Sequence, residues 1–377
     1  MSPRHHLGVF GGGQLGRMLG LAAAPLGLSC SFYEPSGAEC PAALLGPILG
    51  DQKHSPEAVH AFLDSADVFT YEFENIDVGL VERIARHKPV YPGLESLRLT
   101  QNRLYEKSLF AELSIPTATW LAVNSLAELK TATSALGLPL VLKTTTQGYD
   151  GKGQFILRST GDLMDAWQHL GTSSPLIAEQ FIAFRREMSI IAVRDQQGNT
   201  ATYPLTENIH LKGILSHSLT PAPEVTLSTQ QTANRYIDSL LTRLNHVGVL
   251  TLELFETDNG LLANEMAPRV HNSGHWSIEG ALCSQFENHV RAVLGLPLGA
   301  TSCPRPTAMI NLIGQIPERA DILSIPGAHL HLYGKSPRPG RKLGHITLSA
   351  DSHAELNQLM LDIARHLPNP MALSLRP

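Results

Sequence analysis

The chain has 377 residues, 43% hydrophobic and 17% charged, which is typical of a soluble globular protein with two or three domains. A formal net charge of -5 argues against nucleic acid or an anionic membrane as the main partner, so important basic residues should act within a pocket. Without a secretory segment or any run of about 18 apolar residues, we expect a cytoplasmic protein whose cysteines (Cys30, Cys40, Cys283 and Cys303) are reduced thiols.

The first hundred residues predict alternating strands and helices. One strand ends near Val9, a helix follows over residues 14–24, and a second strand covers residues 29–33. The segments ADVFTYEFENI and KPVYPG add two further strands. This alternation predicts a parallel, Rossmann-like sheet with sites at the carboxyl ends of its strands, and we assign it to residues 1–101.

A glycine motif joins the first strand to the first helix. GGGQLGRM contains G-x-G-x-x-G as Gly11, Gly13 and Gly16, and Glu34 ends the second strand where a ribose-binding acid would lie. Such a turn lets backbone N–H groups at a helix N-terminus approach an anion. Three interpretations stay open: a dinucleotide, another anion such as a phosphorylated substrate or a carboxylate, or tight packing.

After residue 101 the pattern changes to hairpins combined with helices. We therefore predict an α+β domain over residues 102–300 and a small β-rich domain over 301–377. LPLVLKTTTQGYDGKGQFIL predicts two strands joined by a glycine-rich loop, with Lys143 ending the first strand and Lys152 in the loop. Free backbone N–H groups and these lysines suit a polyphosphate. The alternative is a mobile hairpin tip with incidental lysines.

The segment ELFETDNGLLANE predicts a hairpin whose loop is residues 258–260. Pairing Thr257 with Leu261 would place Glu253 opposite Glu265, so that both carboxylates project from one face. Such carboxylates repel unless a proton or a cation lies between them. Since Mg²⁺ binds carboxylates together with substrate phosphates, we predict a magnesium site here. The alternative is a register shifted by one residue, with one glutamate in solvent.

Three other segments carry polar groups. Glu179 precedes QFI, whose backbone can pair with a base edge, and Glu187 can accept hydrogen bonds from ribose hydroxyls; two surface glutamates are the alternative. YGKSPRPGRKLGH places four basic residues around two prolines, which suits capture of a phosphate or else a solvated basic loop. NEMAPRVHNSGHW combines an acid, a guanidinium and imidazoles without helical or strand periodicity.

The motifs together resemble the ATP-grasp superfamily, and within it the branch that carboxylates aminoimidazole ribonucleotide in purine biosynthesis. The resemblance spans roughly residues 8–348, in this order: GGGQLGRML, YEFEN, LTQNRL, GYDGKGQ, AEQFI, NEMAPRVHNSGHW, INLIG and YGK…RPGRKLGH. It implies three domains, a nucleotide between two α+β lobes, a mobile lid over about residues 117–185, and a homodimer. It also implies ATP and Mg²⁺, but neither biotin nor NAD.

By position, the resemblance assigns roles to many residues. The ATP-binding residues would be Arg98, Lys143, Gly148, Tyr149, Asp150, Gly151, Lys152, Gly153, Gln154, Glu179, Gln180, Phe181, Ile182, Glu187, His210, Asn264 and Glu265. The magnesium ligands would be Glu253 and Glu265. The substrate-binding residues would be Gln14, Leu15, Asn272, Ser273, Lys335 and Arg341, and the catalytic residues would be Arg269, His271 and Asp150.

The implied reaction begins with attack of bicarbonate on the γ-phosphate of ATP. The resulting carboxyphosphate releases carbon dioxide beside aminoimidazole ribonucleotide, whose exocyclic amine takes it up. Arg269 would pair with the anionic intermediate, and His271 would accept the proton that the amine loses. The glycine turn, with Gln14 and Leu15, would then face the ribonucleotide substrate rather than NAD.

Two positions depart from the family pattern: Ala267 replaces a metal-binding asparagine of many ATP-grasp enzymes, and Gln147 replaces a glycine before the loop. Three other functions compete with the carboxylating one. A formate-dependent glycinamide ribonucleotide transformylase shares the Glu-x-x-Pro-Arg-x-His pattern, but we would expect HDTG and GELGK there. An NAD-dependent oxidoreductase explains only the first glycine motif. A non-catalytic nucleotide-binding regulator leaves the intact acidic and His/Arg groups without a use.

Overall fold

The computed structural model describes residues 6–36, 39–148, 153–171 and 175–368. Its first layer is a parallel four-stranded sheet in the order β3-β2-β1-β4. The strands are His6–Phe10 (β1), Ser29–Tyr33 (β2), Ile48–Leu49 (β3) and Val68–Tyr71 (β4). The helices are Gln14–Ala23 (α1), Pro56–Asp64 (α2), Val78–Ala85 (α3) and Leu94–Thr100 (α4). The predicted parallel Rossmann-like sheet is therefore confirmed, except that KPVYPG forms only an isolated bridge between Val90 and Phe69 and the fourth strand is Ile48–Leu49.

The strands of this sheet are buried, as expected for a parallel sheet that helices cover on both faces. All four residues of β4 are buried, and edge-to-face aromatic contacts join Phe10, Phe62 and Phe69. The carboxyl ends of β1 and β4 lie side by side, because Phe10 pairs with Tyr71. That pairing brings the glycine turn after β1 next to the acidic segment after β4.

The second layer is a four-stranded antiparallel sheet in the order β5-β8-β6-β7. Its strands are Trp120–Val123 (β5), Leu140–Thr144 (β6), Gln154–Leu157 (β7) and Leu176–Gln180 (β8). Helix Arg103–Glu112 (α5) precedes it, and Leu126–Leu136 (α6) and Leu163–Leu170 (α7) pack on it. This unit has its own hydrophobic core and falls within the segment for which a lid is predicted.

The third layer is a large antiparallel sheet in the order β14-β13-β9-β11-β12-β15-β17-β16, with β10 beside β9. The strands are Arg186–Arg194 (β9), Thr200–Thr202 (β10), Thr206–Leu211 (β11), Ile214–Thr220 (β12), Gly248–Thr257 (β13), Gly260–Ala267 (β14), Thr307–Ile313 (β15), Ala328–Leu332 (β16) and Lys342–Ser349 (β17). The helices are Leu227–Arg243 (α8), Ser277–Gly280 (α9), Gln285–Val293 (α10), Arg319–Leu323 (α11) and His353–Ala364 (α12).

The large sheet crosses the boundary that the sequence suggests at residue 300. Strand β12 pairs with β15, with Ser218 opposite Met309, so the predicted third domain extends the sheet of the second. This continuity could not be predicted from the sequence, because strands that pair across a long connection carry no local signal. Within the described part of the chain, no helix has the length and apolarity to cross a membrane, and the four cysteines form no disulfide.

The β13–β14 hairpin corrects the predicted register. Thr257 pairs with Gly260 rather than with Leu261, and Gly260 has a left-handed φ of 114°. A register shift lies between Leu252, which pairs with Met266, and Leu254, which pairs with Ala263. The strand β14 therefore contains an extra residue opposite Glu253, a bulge that the predicted ladder lacks.

Candidate active site

A cavity of about 820 Å³ lies where the three layers meet. Helix α1 of the first layer, strands β6 and β8 of the second, and strands β9, β13 and β14 of the third all contribute to its walls. The predicted site residues that line it are Gln14, Leu15, Lys143, Gly148, Gln154, Glu179, Gln180, Phe181, Ile182, Glu187, His210, Glu253, Asn264, Glu265, Arg269, His271, Asn272 and Ser273. The structure thus brings residues from distant parts of the chain to one cavity.

Eight predicted residues are not part of this result: Arg98, Lys335 and Arg341, and five residues of the glycine-rich loop. Tyr149, Asp150, Gly151 and Lys152 lie outside the described residues. Gly153 is described but does not line the cavity. Before the loop, Gln147 adopts a left-handed φ of 61°, so the chain has a non-glycine residue in a conformation that glycine adopts without strain.

Two carboxylates and an amide meet at the bulge of β14. Glu253 Oε1 lies 3.1 Å from His271 Nε2, and Glu265 Oε2 accepts a 2.7 Å hydrogen bond from Arg103 Nη1. Between them in the hairpin, the amide oxygen of Asn264 is buried and has no partner among the described residues. Buried oxygen atoms left without donors suit a hard cation. The bulge therefore brings to one cavity the two glutamates that the regular register was expected to pair.

The charge of Glu265 is maintained by its neighbours. Burial by itself would raise the pKa of Glu265, but the guanidinium of Arg103 and the ammonium of Lys143 outweigh that effect and lower it to about 2. The carboxylate is consequently ionised at neutral pH. Among the described residues, no group of three or more His, Cys, Asp or Glu side chains is arranged to hold a metal.

The strand β8 places a buried ion-pair network at the other wall. Glu179 is only 3% exposed, and its Oε2 lies 2.9 Å from Lys143 Nζ and 3.7 Å from Lys107 Nζ. Burial raises the pKa of Glu179, yet the two ammonium groups hold it below its ordinary value. This burial excludes the alternative interpretation of Glu179 as a surface glutamate. Lys143 projects into the cavity from the carboxyl half of β6, as a phosphate-binding cation would.

Glu187 and His210 form a pair on the adjacent strands β9 and β11. Glu187 Oε2 lies 2.8 Å from His210 Nδ1. Although burial lowers the pKa of His210, the hydrogen bond and the charge of Glu187 raise it above its ordinary value. The pair faces the cavity beside Phe181 and Phe184. A carboxylate next to an imidazole and aromatic walls suits the ribose and base of a nucleotide.

A chain of buried hydrogen bonds orients His271. Asn208 Nδ2 donates to Ser189 Oγ at 3.0 Å, and Ser189 Oγ donates to Ser273 Oγ at 2.8 Å. Ser273 Oγ lies 2.9 Å from His271 Nδ1. When Ser273 donates to Nδ1, the Nε2–H of His271 points at Glu253, which selects one tautomer.

The backbone of His271 is held separately by Gln285 at the start of α10. The backbone N–H of His271 donates to Gln285 Oε1 at 2.9 Å, and Gln285 Nε2 donates to the His271 carbonyl at 2.6 Å. Gln285 is completely buried. The sequence contains no local signal for this contact, because Gln285 is one of many polar residues that begin a helix.

The rest of the loop presents groups suited to an anionic, hydrogen-bonding substrate. Arg269 lines the cavity and donates from Nε to Glu74, while its Nη1 donates to the Val270 carbonyl at 3.1 Å. Both the nitrogen and the oxygen of the Asn272 side-chain amide are buried, and they have no partner in the described ranges. An amide without partners costs free energy unless a ligand satisfies it.

The glycine turn contains a carboxylate of the protein itself. The N–H of Gly16 donates to Glu72 Oε2 at 2.6 Å, and the N–H of Gly13 donates to Glu72 Oε1. A Cβ on Gly13 would lie 2.7 Å from Glu72 Oε1, so this glycine makes room for the carboxylate. Burial raises the pKa of Glu72, and the two N–H donors counteract that effect. Of the three interpretations of the motif, the structure selects an anion, and the anion is internal.

That finding removes the basis for NAD at this turn. A dinucleotide would place its pyrophosphate on the same N–H groups that Glu72 occupies. Glu34, at the position of a ribose-binding acid, accepts hydrogen bonds from Ser36 N at 3.0 Å and Ser36 Oγ at 2.6 Å. Both features of the dinucleotide fingerprint are therefore used within the protein.

The structure does not bring Arg98 to the cavity. Its guanidinium binds Glu82, its side chain is 53% exposed, and it is absent from the described lining. Arg103, five residues later, lines the cavity and pairs with Glu265. Helical geometry explains the correction: α4 ends at Thr100, and α5 begins at Arg103 in a new direction. The segment LTQNRL contains Arg103, whereas Arg98 lies directly before it.

The basic turn lies at the edge of the cavity, beyond α1. Lys335 Nζ donates to Gln14, which lines the cavity, and burial lowers the pKa of Lys335 to about 8. Arg341 Nη1 donates to Glu39 at 2.8 Å, and the N–H of Ser336 donates to the same carboxylate at 3.0 Å. Lys335 and Arg341 do not line the described cavity itself. They are placed close to its Gln14 end.

The fold and the site define the class of protein. A family model of the ATP-grasp domain matches residues 108–286, and a model of the ribonucleotide synthetase preATP-grasp domain matches residues 4–101. A model of the phosphoribosylaminoimidazole carboxylase C-terminal domain matches residues 307–359. The chain is an ATP-grasp enzyme, which is a ligase.

Individual relatives identify the family within this class. The N5-carboxyaminoimidazole ribonucleotide synthase of Pseudomonas aeruginosa is 47% identical over 360 residues, which cover 95% of this chain and 98% of the relative. The crystal structure of the synthetase from Thermus thermophilus has a TM-score of 0.92 and 44% identity, with 98% of this chain and 100% of that chain covered. The Aspergillus clavatus enzyme in complex with ADP and 5-aminoimidazole ribonucleotide has a TM-score of 0.88 and 32% identity, with 97% of this chain and 100% of that chain covered. The chain belongs to the N5-carboxyaminoimidazole ribonucleotide synthase family.

Proposed function

We propose that this enzyme carboxylates aminoimidazole ribonucleotide with bicarbonate at the expense of ATP, through carboxyphosphate. The products are N5-carboxyaminoimidazole ribonucleotide, ADP and phosphate, as part of purine (IMP) biosynthesis. One observation carries the proposal: two sets of residues border the same cavity. One is the wall suited to a nucleotide, with Lys143 and Glu179, and the other is the loop with Arg269, His271 and Asn272. A phosphoryl donor and an amine acceptor can therefore meet within one cavity.

Magnesium fits the residues at the bulge. Glu253 and Glu265 would hold it, with the unpartnered oxygen of Asn264 nearby. The bound ion would neutralise charge on the phosphates of ATP. Arg103 and Lys143 add positive charge next to those carboxylates. Because Ala267 replaces a metal-binding asparagine, the chain offers the ion two carboxylates and one amide. These ligands are sufficient when phosphates complete the coordination shell of the ion.

ATP would lie between the second and third layers. Lys143 and Arg103 would bind its phosphates, and the segment from Gly148 to Gln154 would close over them. Glu179 to Ile182 would border the adenine, while Glu187 with His210 would bind the ribose. The unit over about residues 117–185 would act as the lid that excludes water, which matters because carboxyphosphate hydrolyses easily.

The ribonucleotide would lie at the Arg269 end of the cavity. Asn272 and Ser273 would donate and accept hydrogen bonds, Gln14 and Leu15 would contact the nucleotide, and Lys335 with Arg341 would bind its phosphate. Arg269 would stabilise bicarbonate, carboxyphosphate or released phosphate. His271 would accept the proton that the amine loses on carboxylation. Asp150, outside the described residues, would contact the amine or its ring.

We also propose that the enzyme is a cytoplasmic homodimer with three functional units over residues 1–101, 102–300 and 301–377. The composition, which is typical of a soluble globular protein, supports the location. The family resemblance supports the dimer. Sedimentation at several protein concentrations measures the oligomeric state directly.

Omission of substrates tests the function. ADP release from ATP and Mg²⁺ is measured with bicarbonate and aminoimidazole ribonucleotide together and with each one absent. We expect turnover only when both are present. Turnover with formate and glycinamide ribonucleotide would instead identify a transformylase, and ATP binding without ADP release under either condition would indicate a nucleotide-binding regulator.

A further inference from the structure

Helix α5 presents three ionisable residues on one face, toward the strand β14. Arg103, Glu106 and Lys107 are spaced i, i+3 and i+4, which places them side by side on a helix. Arg103 binds the carboxylate of Glu265 itself. The other two residues, of which Glu106 also lines the cavity, bind the backbone on either side of Glu265.

The backbone around Glu265 needs partners from outside the sheet. Strand β14 lies at the edge of the large sheet, with β13 on one side only. Within β14, Asn264 and Glu265 have no register partner on β13, because the bulge lies there. Outside this sheet, the strand is joined next to the bulge at Ala263, which forms an isolated bridge with Thr117 and whose N–H donates to the Pro116 carbonyl at 2.7 Å. At Asn264 and Glu265 themselves, ladder pairing is missing on both sides.

Glu106 and Lys107 supply the missing hydrogen bonds. Lys107 Nζ donates to the Asn264 carbonyl at 2.8 Å, and the backbone N–H of Met266 donates to Glu106 Oε1 at 2.6 Å. These bonds lie directly before and directly after Glu265. They fix the peptide groups that determine where the Glu265 side chain points.

The burial of these two side chains shows that they serve a local purpose. Glu106 is 3% exposed and Lys107 is 1% exposed. Burying charges costs free energy that apolar residues would avoid, unless the charges are well paired and hydrogen-bonded. Lys107 also lies 3.7 Å from Glu179, so its charge is compensated within the same network.

We propose that Glu106 and Lys107 are positioning residues that hold the bulged backbone of β14, so that Glu265 and Asn264 face the bound metal–nucleotide complex. The inference rests on the magnesium–ATP site proposed above. Neither residue needs to touch the nucleotide for this role. Their effect reaches the metal through the backbone of residues 264–266.

Metal binding tests the proposal without depending on turnover. Mn²⁺ serves as the probe, and its free concentration is measured by electron paramagnetic resonance in the presence of saturating ADP. For Lys107→Met and for Glu106→Leu we expect Mn²⁺ affinity to fall about tenfold, the usual loss when a group that orients a metal ligand is removed. ADP affinity without metal should stay within about twofold of the parent chain.

Conservative and surface variants separate positioning from general damage. Glu106→Gln keeps an acceptor oxygen for the Met266 N–H, so its Mn²⁺ affinity should stay within about threefold of the parent value. Lys130→Met, on an exposed position of α6, is the matched control and should bind Mn²⁺ as the parent does. Thermal unfolding of every variant identifies those that are folded at the measuring temperature.

Every outcome of these binding measurements either supports or overturns the positioning role. Unchanged Mn²⁺ affinity in Lys107→Met and Glu106→Leu, or equal losses of ADP and Mn²⁺ affinity, would overturn the positioning role. A loss in Glu106→Gln as large as in Glu106→Leu would attribute the effect to charge and overturn it for Glu106. If Lys107→Met does not fold, the two Glu106 variants still decide. If the parent chain with ADP binds no Mn²⁺, the proposed metal site fails and the inference fails with it.

Discussion

Two regions of this protein present donors to an anion, and they differ in what they bind. At the glycine turn, the N–H groups of Gly13 and Gly16 bind the buried carboxylate of Glu72. In the cavity, Lys143 and Arg103 pair with carboxylates that border an open volume of about 820 Å³. The first region is closed by the protein, while the second has room for a ligand.

The difference teaches that a motif identifies a kind of group and not its occupant. A glycine turn before a helix always offers N–H groups to an anion. Whether that anion is a ligand or a side chain depends on the neighbouring strand, here on β4 and the Glu72 that follows it. The four predictions below test the two regions, starting with the largest expected effect.

The first prediction concerns Glu265, the proposed metal-binding carboxylate of the cavity. Glu265→Gln should lower kcat by more than about 100-fold, because losing a metal ligand costs more than losing a group that only orients one. Steady-state ADP release with all substrates measures it. Glu57→Gln, on an exposed turn of α2, should keep the parent rate. A Glu265→Gln enzyme within tenfold of the parent would show that the cavity does not use this carboxylate for metal.

Arginine substitutions test which guanidinium belongs to the cavity. Arg103→Met should raise the KM for ATP about 10- to 100-fold, because it removes a cation next to the phosphates and leaves Glu265 without its partner. Arg98→Met removes a partly exposed pair with Glu82 and should change KM by less than about twofold. Initial rates at varied ATP measure both. A reversed order would return the phosphate-binding role to Arg98.

At the glycine turn, Glu72→Ala should lower the free energy of unfolding by about 2–4 kcal/mol, because two N–H groups at a helix N-terminus lose their acceptor. Urea unfolding measures the change. Sulfate should restore part of the loss by binding the freed N–H groups. Glu57→Ala, exposed on α2, gives the general effect of sulfate. If sulfate stabilises the two variants equally, the turn has no capacity for an external anion.

Two buried histidines, His289 and His246, should make the free energy of unfolding depend on pH. His289 accepts a 3.0 Å hydrogen bond from the Val249 N–H and lies 2.7 Å from Thr70 Oγ1, and burial lowers its pKa to about 3. His246, also buried, has its pKa lowered to about 4. Protonation would place a hydrogen on the nitrogen that accepts the Val249 N–H, so the folded state keeps the neutral form.

The sign of the effect follows from these lowered values. Above pH 6.5 neither the folded nor the unfolded state gains a proton at these histidines. As pH falls from about 6.5 toward 4, the unfolded state binds protons and the folded state does not, so stability decreases by up to about 1.4 kcal/mol per pH unit for each histidine. His289→Gln should reduce this slope in urea unfolding at pH 4.5–7, while the exposed His60→Gln should not. An unchanged slope in His289→Gln would contradict the neutral buried form.

The parts of the site that sequence analysis predicted well are contiguous. Glu179 to Ile182 and Asn264 to Ser273 each lie on one short segment, and both segments line the cavity. The parallel sheet of the first layer was predictable for a similar reason, since alternating strands and helices carry a local signal. The hairpin of β13 and β14 was predictable as an element, but its bulge was not, because a bulge depends on how α5 and the edge of the sheet meet.

The sequence by itself determined the elements, the family resemblance and the residue types available for chemistry. Only the tertiary structure decided the partners: Glu72 with Gly13 is a contact across 59 positions, and Arg103 with Glu265 is a contact across 162. Such pairs depend on the packing of three layers against one another. No local periodicity encodes that packing, because hydrogen bonds between distant segments form only once the layers have buried their apolar faces.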